Sequence, residues 1–428
     1  MSERIVRIGL LGCGTVGQEI VRILHDRSQV VAQRTGLRLE LARIAVARLD
    51  KPRAPFVPAQ ILTGDATAVA TDPAVDVVVE VMGGIEPART CLEQAMALGK
   101  PVVTANKQLL ALYGPELLSR AAEAGVRLGF EGAVGASIPL IKPLRESFAA
   151  DQILSIKAIL NGTTNYILTR MTAEGVTFSQ ALAAAQERGF AEADPADDVE
   201  GYDAAAKLAI LVMTVFNARV TIRDVHREGI GSVTPREIDY AKQLGYVIKL
   251  LAVAEERDGV IDCRVHPALL PFAHPLASIP DERNAVLVTG AAAGPIVFSG
   301  PGAGGAPTAV IVLGDVLDVA GHPAAGARAA QMLHLQSRQF LPVGHLLVPY
   351  FFSLQVLDRP GVFARVATVF GEEQVSIASI VQKSRGETAD VVLMTHEALD
   401  AAVQRVVTRL RAMDVVSEVS CVLRVEEG

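Results

Sequence analysis

Tryptophan is absent from the chain, and cysteine occurs only four times, at Cys13, Cys91, Cys263 and Cys421. The four lie far apart, without metal-ligand spacing, so they read as reduced thiols in a reducing compartment. Long apolar runs are also missing. No stretch reaches the roughly 18 residues of a membrane-spanning helix. The first residues enter a strand-like segment, without the basic start or small-residue cleavage site of a secretory signal. A cytoplasmic location is expected. No Lys/Arg run is present and the net charge is −7, which argues against nucleic acid as a partner. A membrane partner is not expected either.

What is present is a globular composition. The chain has 428 residues, half of them apolar and a fifth charged. That is enough for sizeable cores and roughly three domains. Over residues 4–135, short apolar runs at 5–11, 39–47, 75–81, 102–104 and 126–130 read as buried strands. Helical spacing fills several gaps, at 16–25, 87–98 and 115–124. Strands alternating with helices predict an α/β, Rossmann-type parallel sheet covered on both faces. Residues 1–138 are expected to form this domain, completed by about 300–340.

Residues 139–299 read as an α+β substrate-binding and dimerisation domain. Long helical patterns at 178–188, 202–216 and 234–256 are interrupted by strand-like runs at 153–160, 285–289 and 295–299. Four glycines in residues 300–305 lead into a helical pattern at 308–319. Residues 335–349 carry two prolines and little periodicity, so they read as a linker. Beyond it, residues 350–428 follow the order βαββαβ, a ferredoxin-like unit.

Gly12-Cys13-Gly14-Thr15-Val16-Gly17 fits G-x-G-x-x-G between a strand and a helix. In that context the first glycine permits the tight turn, the second lets backbone approach a pyrophosphate, and the third lets helix pack on strand. The helix start offers free N–H groups and a positive dipole end to phosphates. The second strand ends Val46-Ala47-Arg48, with no carboxylate for a ribose 2′-hydroxyl. A guanidinium there suits a 2′-phosphate, so NADP is expected over NAD. Asp50 nearby weakens that inference, and a solvated loop arginine is the other reading of Arg48.

The window 185–207 is the most informative. It holds Glu187, Glu192, Asp194, Asp197, Asp198, Glu200 and Asp203 against only Arg188 and Lys207. Such a window is either a solvated loop or a site for an amine or cation. Lys207 begins an apolar helical run, Leu208-Ala209-Ile210-Leu211-Val212, with Asp203 four residues earlier on the same helical face. A desolvated, oriented ammonium suits proton donation to an oxygen that becomes an alkoxide as hydride arrives. On residue chemistry alone, a structural ion pair stays open.

The pattern Ala185-x3-Gly189-Phe190-Ala191-x2-Asp194-Pro195-x2-Asp198-Val199-x-Gly201-x-Asp203-x3-Lys207 resembles the signature of the homoserine dehydrogenase family. The segments 160–168 (Leu160-Asn161-Gly162-Thr163-Thr164 onward), 104–107 (Thr104-Ala105-Asn106-Lys107) and 131–139 match further family motifs. With the glycine-rich return, the resemblance covers residues 5–320.

The resemblance implies interconversion of L-homoserine and L-aspartate 4-semialdehyde, with a nicotinamide cofactor, in threonine and methionine biosynthesis. It implies Lys207 as acid/base and Lys107 beside substrate and nicotinamide, although an Asn-Lys at a strand end is often only a solvated loop. Glu192, with Asp198 and Asp203, would receive the substrate ammonium. Gly162 and Thr163 would hold the substrate's other end, and Gly189 and Gly302 would lie against the cofactor. It also implies a monovalent cation, usually sodium, held largely by carbonyls at Glu131, Val134, Ala136 and Ile138. His226, His266, His274 and His322 lack metal spacing and read as ordinary histidines.

Residues 350–428, with Asp358-Arg359-Pro360-Gly361 between the first strand and helix, resemble an ACT domain. That implies a small amino-acid effector, here threonine, at an interface of a homo-dimer or homo-tetramer; a purely oligomerising role is the other reading. With no kinase-like region before residue 1, the single-activity form is expected. A chain cut near Pro349 is expected to keep its chemistry and lose any response to threonine; loss of the oligomer, and activity with it, is the competing outcome. Two rivals remain: an oxidoreductase acting on another amino or hydroxy acid, which has no reason to carry residues 189–207, and a non-catalytic NADP sensor, which needs neither lysine.

Overall fold

The computed structural model describes residues 3–321, 333, 335–383 and 386–427. The strands, in chain order, are β1 Arg4–Leu11, β2 Leu37–Ala45, β3 Leu62–Thr63, β4 Val77–Glu80, β5 Val102–Thr104, β6 Leu128–Gly129, β7 Ile153–Ile159, β8 His226–Arg227, β9 Tyr246–Arg257, β10 Val260–Pro271, β11 Arg283–Gly290, β12 Gly294–Pro301, β13 Gln339–Phe340, β14 Leu347–Val348, β15 Tyr350–Leu357, β16 Ile377–Lys383, β17 Thr388–Thr395, β18 Ala398–Leu399 and β19 Val416–Val425. The helices are α1 Thr15–Thr35, α2 Ala66–Thr71, α3 Ala88–Ala97, α4 Lys107–Glu123, α5 Gly162–Glu174, α6 Phe178–Glu187, α7 Ala196–Val199, α8 Tyr202–Val215, α9 Pro235–Gln243, α10 Gly305–Gly321, α11 Val362–Glu372 and α12 Asp400–Arg411. They fall into two compact units. One comprises 1–153, 206–224 and 298–337; the other comprises 154–205, 225–297 and 338–428.

The first unit carries a parallel sheet in the order β3-β2-β1-β4-β5-β6. The order reverses beside β1, and the crevice at such a switch point is where dinucleotides bind. The central strands are buried on both faces, which is why they read as continuous valine-rich runs. Ile20, Val21 and Leu24 of α1 share a core with Ala309, Val312 and Val316 of α10. The glycine-rich return thus completes this domain.

The second unit is built on a mixed sheet running β12-β11-β7-β9-β10-β19-β15-β17-β16. Its last four strands, with α11 and α12, form the βαββαβ unit read from the sequence. That unit has its own core, in which Phe352 and Phe370 stack edge to face.

Two expectations are corrected. The helical pattern at 234–256 is α9 only as far as Gln243; the chain then turns at Gly245 (φ 89°) and continues as β9. The middle of β9 is buried on both faces, so it lacks the alternation that marks a strand. The segment read as a linker is also ordered: β13 pairs with β10, and β14 pairs with β18. The histidine at 322 lies outside the described residues.

Candidate active site

In the first unit the glycine turn has the geometry its chemistry requires. Gly12 adopts φ 102°, and a Cβ there would meet the Val81 carbonyl oxygen at 2.7 Å. A Cβ on Gly17 would stand 2.3 Å from the Gly12 oxygen, so only glycine lets α1 sit this close to β1. Nothing lies within 4 Å of a Cβ built on Gly14, leaving open space where a pyrophosphate approaches. Thr15 is exposed and Val16 half-buried on the first turn of α1. The return is close by: a Cβ on Gly305 would meet Thr15 Cγ2 at 2.9 Å. Gly302 belongs to that same return, three residues before it.

β2 ends at Ala45, earlier than the sequence suggests, so Arg48 lies in the loop beyond it, exposed. Arg53, which the sequence reading did not single out, folds into this loop: its Nη1 and Nη2 donate to the Lys51 and Arg48 carbonyls at 2.9 and 2.6 Å. Burial pushes the Cys13 thiol up, and the Arg53 guanidinium offsets part of that rise.

Lys107 is the first residue of α4, whose N-cap is Asn106; the Asn106 Oδ1 accepts from Leu109 N at 3.0 Å. Glu131, Val134, Ala136 and Ile138 are all buried in one tight loop. Ala136 takes φ 51°, a strained value for a residue with a side chain. The Glu131 carboxylate accepts from Leu140, Ile141 and Lys142 backbone N–H groups, the last two at 2.7 and 2.6 Å. Desolvation nonetheless raises its pKa. Lys207 is buried, 9% exposed, and the helix residues after it, Leu208 to Val212, are fully buried.

In the second unit Asn161 is the hub that the sequence reading quoted but did not assign. Its Nδ2 donates to Asp198 Oδ1 at 2.6 Å and to Asp203 Oδ2 at 2.9 Å. Its Oδ1 accepts from Thr164 N at 2.8 Å, capping α5, whose first residues are Gly162 and Thr163. The Thr163 hydroxyl donates to the Phe190 carbonyl at 2.7 Å, tying the start of α5 to the segment after Gly189, which ends α6 at φ 73°. Five predicted residues, Gly162, Thr163, Gly189, Asp198 and Asp203, therefore belong to one hydrogen-bonded neighbourhood. Glu192 is apart from it: it is exposed, and its carbonyl accepts from Gln186. A possible clue to Asn161 was its place immediately before a helix-starting Gly-Thr-Thr, where asparagine serves as an N-cap.

The histidines have structural partners. His226 Nε2 lies 2.8 Å from Glu228 Oε1, His266 is fully buried beside Arg264, and His274 Nδ1 accepts from Leu276 N. Among the described residues the cysteines form no disulfide, no cluster of three or more His, Cys, Asp or Glu could hold a metal, and no helix is long and apolar enough to cross a membrane.

The switch-point glycine turn marks a dinucleotide-binding protein, and the C-terminal βαββαβ unit is of ACT type. Residues 12–131 match the profile described as homoserine dehydrogenase, NAD binding domain; residues 139–317 match homoserine dehydrogenase; residues 350–414 match the ACT domain. A homoserine dehydrogenase of Corynebacterium glutamicum is 44% identical over 98% of this chain and 96% of its own length. One of Bacillus subtilis is 39% identical over 99% of both chains. The crystal structure of a homoserine dehydrogenase from Thiobacillus denitrificans superposes with a TM-score of 0.94 at 39% identity, covering 99% of each chain. A hyperthermophilic archaeal homoserine dehydrogenase in complex with NADPH aligns at 27% identity and TM-score 0.63, over 74% of this chain and 98% of that one. The chain belongs to the homoserine dehydrogenase family.

Proposed function

We propose that this enzyme interconverts L-homoserine and L-aspartate 4-semialdehyde, with NADP preferred over NAD. The observation that carries the reading is Lys207: a buried ammonium, 9% exposed, on an apolar helix one turn after Asp203. Such a group exchanges a proton with a substrate oxygen away from bulk water.

A bound nicotinamide dinucleotide would supply hydride transfer to or from the carbon that bears the substrate oxygen. Lys207, as the neutral amine, takes the hydroxyl proton during oxidation and, as the ammonium, gives it back during reduction. Lys107 supplies a second positive charge to the developing alkoxide. Asp198 and Asp203, with Glu192, receive the substrate ammonium, and Gly162 and Thr163 hold its other end. Gly12, Gly14, Thr15, Val16 and Gly17 cradle the pyrophosphate, with Gly189 and Gly302 against the cofactor. Arg48 faces the 2′-phosphate, which its exposure beyond β2 supports.

The loop 131–138 fits a monovalent cation such as sodium. With the Glu131 carboxylate engaged by three backbone amides, its carbonyl is the group left for an ion, beside those of Val134, Ala136 and Ile138. The left-handed Ala136 supports a backbone bent for that purpose. A threonine effector would bind near Asp358 to Val362, where Gly361 at φ 87° starts α11 in an exposed turn, within a homo-dimer or homo-tetramer.

The test is homoserine oxidation by the purified protein with each dinucleotide. Lys207→Ala lowers turnover by about two to four orders of magnitude while cofactor binding persists; near-normal turnover in the folded variant overturns the assignment. Arg48→Ala raises the KM for NADP far more than that for NAD. Equal effects make Arg48 a bystander.

A further inference from the structure

Two segments of the first unit meet on one buried carboxylate that the reaction does not use. Glu80 ends β4, after three buried valines, and is fully buried. Its Oε1 accepts from Met82 N at 2.7 Å and Gly83 N at 3.2 Å; its Oε2 accepts from the Thr104 hydroxyl at 2.5 Å. Thr104 Oγ1 in turn accepts from Asn106 N at 3.0 Å. Asn106 donates from Nδ2 to the Gly84 carbonyl at 2.6 Å and caps α4 through Oδ1. The residue that follows Asn106 is Lys107.

Burying a carboxylate is costly, and desolvation pushes the pKa of Glu80 up against the hydrogen bonds that favour its charged form. The two segments that Glu80 joins both serve the cofactor. Val81 and Met82 crowd Gly12, where a Cβ would come within 2.7–2.8 Å of their backbone, and residues 106–107 begin α4. Gly83 and Gly84 are both left-handed, at φ 77° and 73°, so this loop depends on its hydrogen bonds for its path.

We propose that Glu80 is a positioning residue of the reaction: by holding residues 81–84 and the Thr104–Asn106 turn in one arrangement, it sets where the Lys107 ammonium stands. The inference rests on the reading of Lys107 given above. A displacement of about 1 Å in such a group costs about 100-fold in rate.

The experiment uses the full-length enzyme with homoserine and dinucleotide. Glu80→Gln keeps the side chain's size but puts an amide nitrogen, a donor only, where the oxygen accepts from Thr104, so that bond must reverse and the Thr104 hydroxyl loses its acceptor. Thr104→Val removes the hydroxyl that donates to Glu80 and accepts from Asn106 N, and serves if the first variant does not fold. Expected is a fall in kcat of about 10- to 100-fold, with the KM for dinucleotide and the melting temperature little changed. The double variant should lose no more than the worse single one, because both act through one link. Unchanged kcat overturns the proposal. So does a fall in melting temperature matched by a rise in dinucleotide KM, which marks a structural role only.

Lys107→Met, measured alone and with Glu80→Gln, separates the two readings. If Lys107→Met is impaired and the Glu80 and Thr104 variants are not, the Glu80 inference fails alone. If Lys107→Met turns over normally, the Lys107 reading fails and takes the route through it. If Glu80→Gln causes no further loss in the Lys107→Met background, the proposal holds; a full further loss overturns it.

Discussion

Nη2 of Arg264 on β10 stands 2.6 Å from Oε1 of Glu426, just beyond β19, and the two side chains are 2% and 3% exposed. This pair fastens the C-terminal strand to β10 in the sheet of the second unit. Ala268 and Arg424 face each other in the parallel pairing of β10 with β19. Asp262 also pairs with Arg264, and Lys157 Nζ stands 3.4 Å from Glu426 Oε2. From the other side, Tyr240 of α9 donates to Asp390, and Ser353 donates to Glu237. The ACT-type unit is thus built into the sheet rather than tethered to it.

For a chain cut near Pro349 that favours the competing outcome, loss of activity. The cut removes Glu426 and leaves Arg264 buried with part of its charge pairing gone, together with the open edge of β10. Breaking a buried pair costs about 3–5 kcal/mol, against a total stability of about 5–15 kcal/mol. The truncated chain is expected to be insoluble or inactive. Sedimentation with a dehydrogenase assay checks this, and a soluble, active product would sink the argument.

Acid should find the same junction. Burial would raise the pKa of Glu426, but the charge of Arg264 and the bond with His266 outweigh it and hold the carboxyl below its usual range. Glu228 behaves likewise: burial raises it, while His226 and Arg424 bring it down to about 2. A carboxylate with a depressed folded pKa gives stability that is complete above its unfolded value, about 4.3. That stability is lost as pH falls towards the folded value. Melting temperature should therefore fall steeply below about pH 5. Glu426→Gln should be less stable at neutral pH and should show a shallower acid slope. Parallel curves for the two proteins would dismiss Glu426 as a contributor.

The glycine turn was legible because Gly12 and Gly17 are constrained by backbone contacts within a local strand-turn-helix, and that constraint leaves a fixed spacing. The βαββαβ order was legible for a related reason, since its alternation and helical periodicity are local. β9 was not, because burial of its middle on both faces erases the period of two. The junction of β10 with the ACT-type unit was hidden too: Arg264 and Glu426 meet across 162 residues, and nothing in either neighbourhood announces the other. Glu192 and Asp198 read alike as acids of one window. Only the fold distinguishes the exposed one from the one that Asn161 holds.

Asn161 does two things that a pair of substitutions separates. Its Oδ1 caps α5, and its Nδ2 donates to Asp198 and Asp203. Asn161→Asp preserves the cap, since aspartate serves as well as asparagine there. It removes both donated bonds and places a third carboxylate where the amide stood, 2.6 and 2.9 Å from two others. Crowded carboxylates resist ionisation, so the cluster's apparent pKa rises and its hold on an ammonium weakens. Hydrogen bonds to charged groups are worth about 1.5–3 kcal/mol, which corresponds to a fall of about 10- to 100-fold in kcat/KM for homoserine. Asn161→Ala loses the cap as well, so its melting temperature should drop further than that of Asn161→Asp while its kcat/KM suffers less. Dinucleotide affinity, measured by fluorescence titration, should stay near that of the parent in both. If Asn161→Asp matches the parent enzyme in kcat/KM, the residue is only a helix cap and the carboxylate pair does not depend on it.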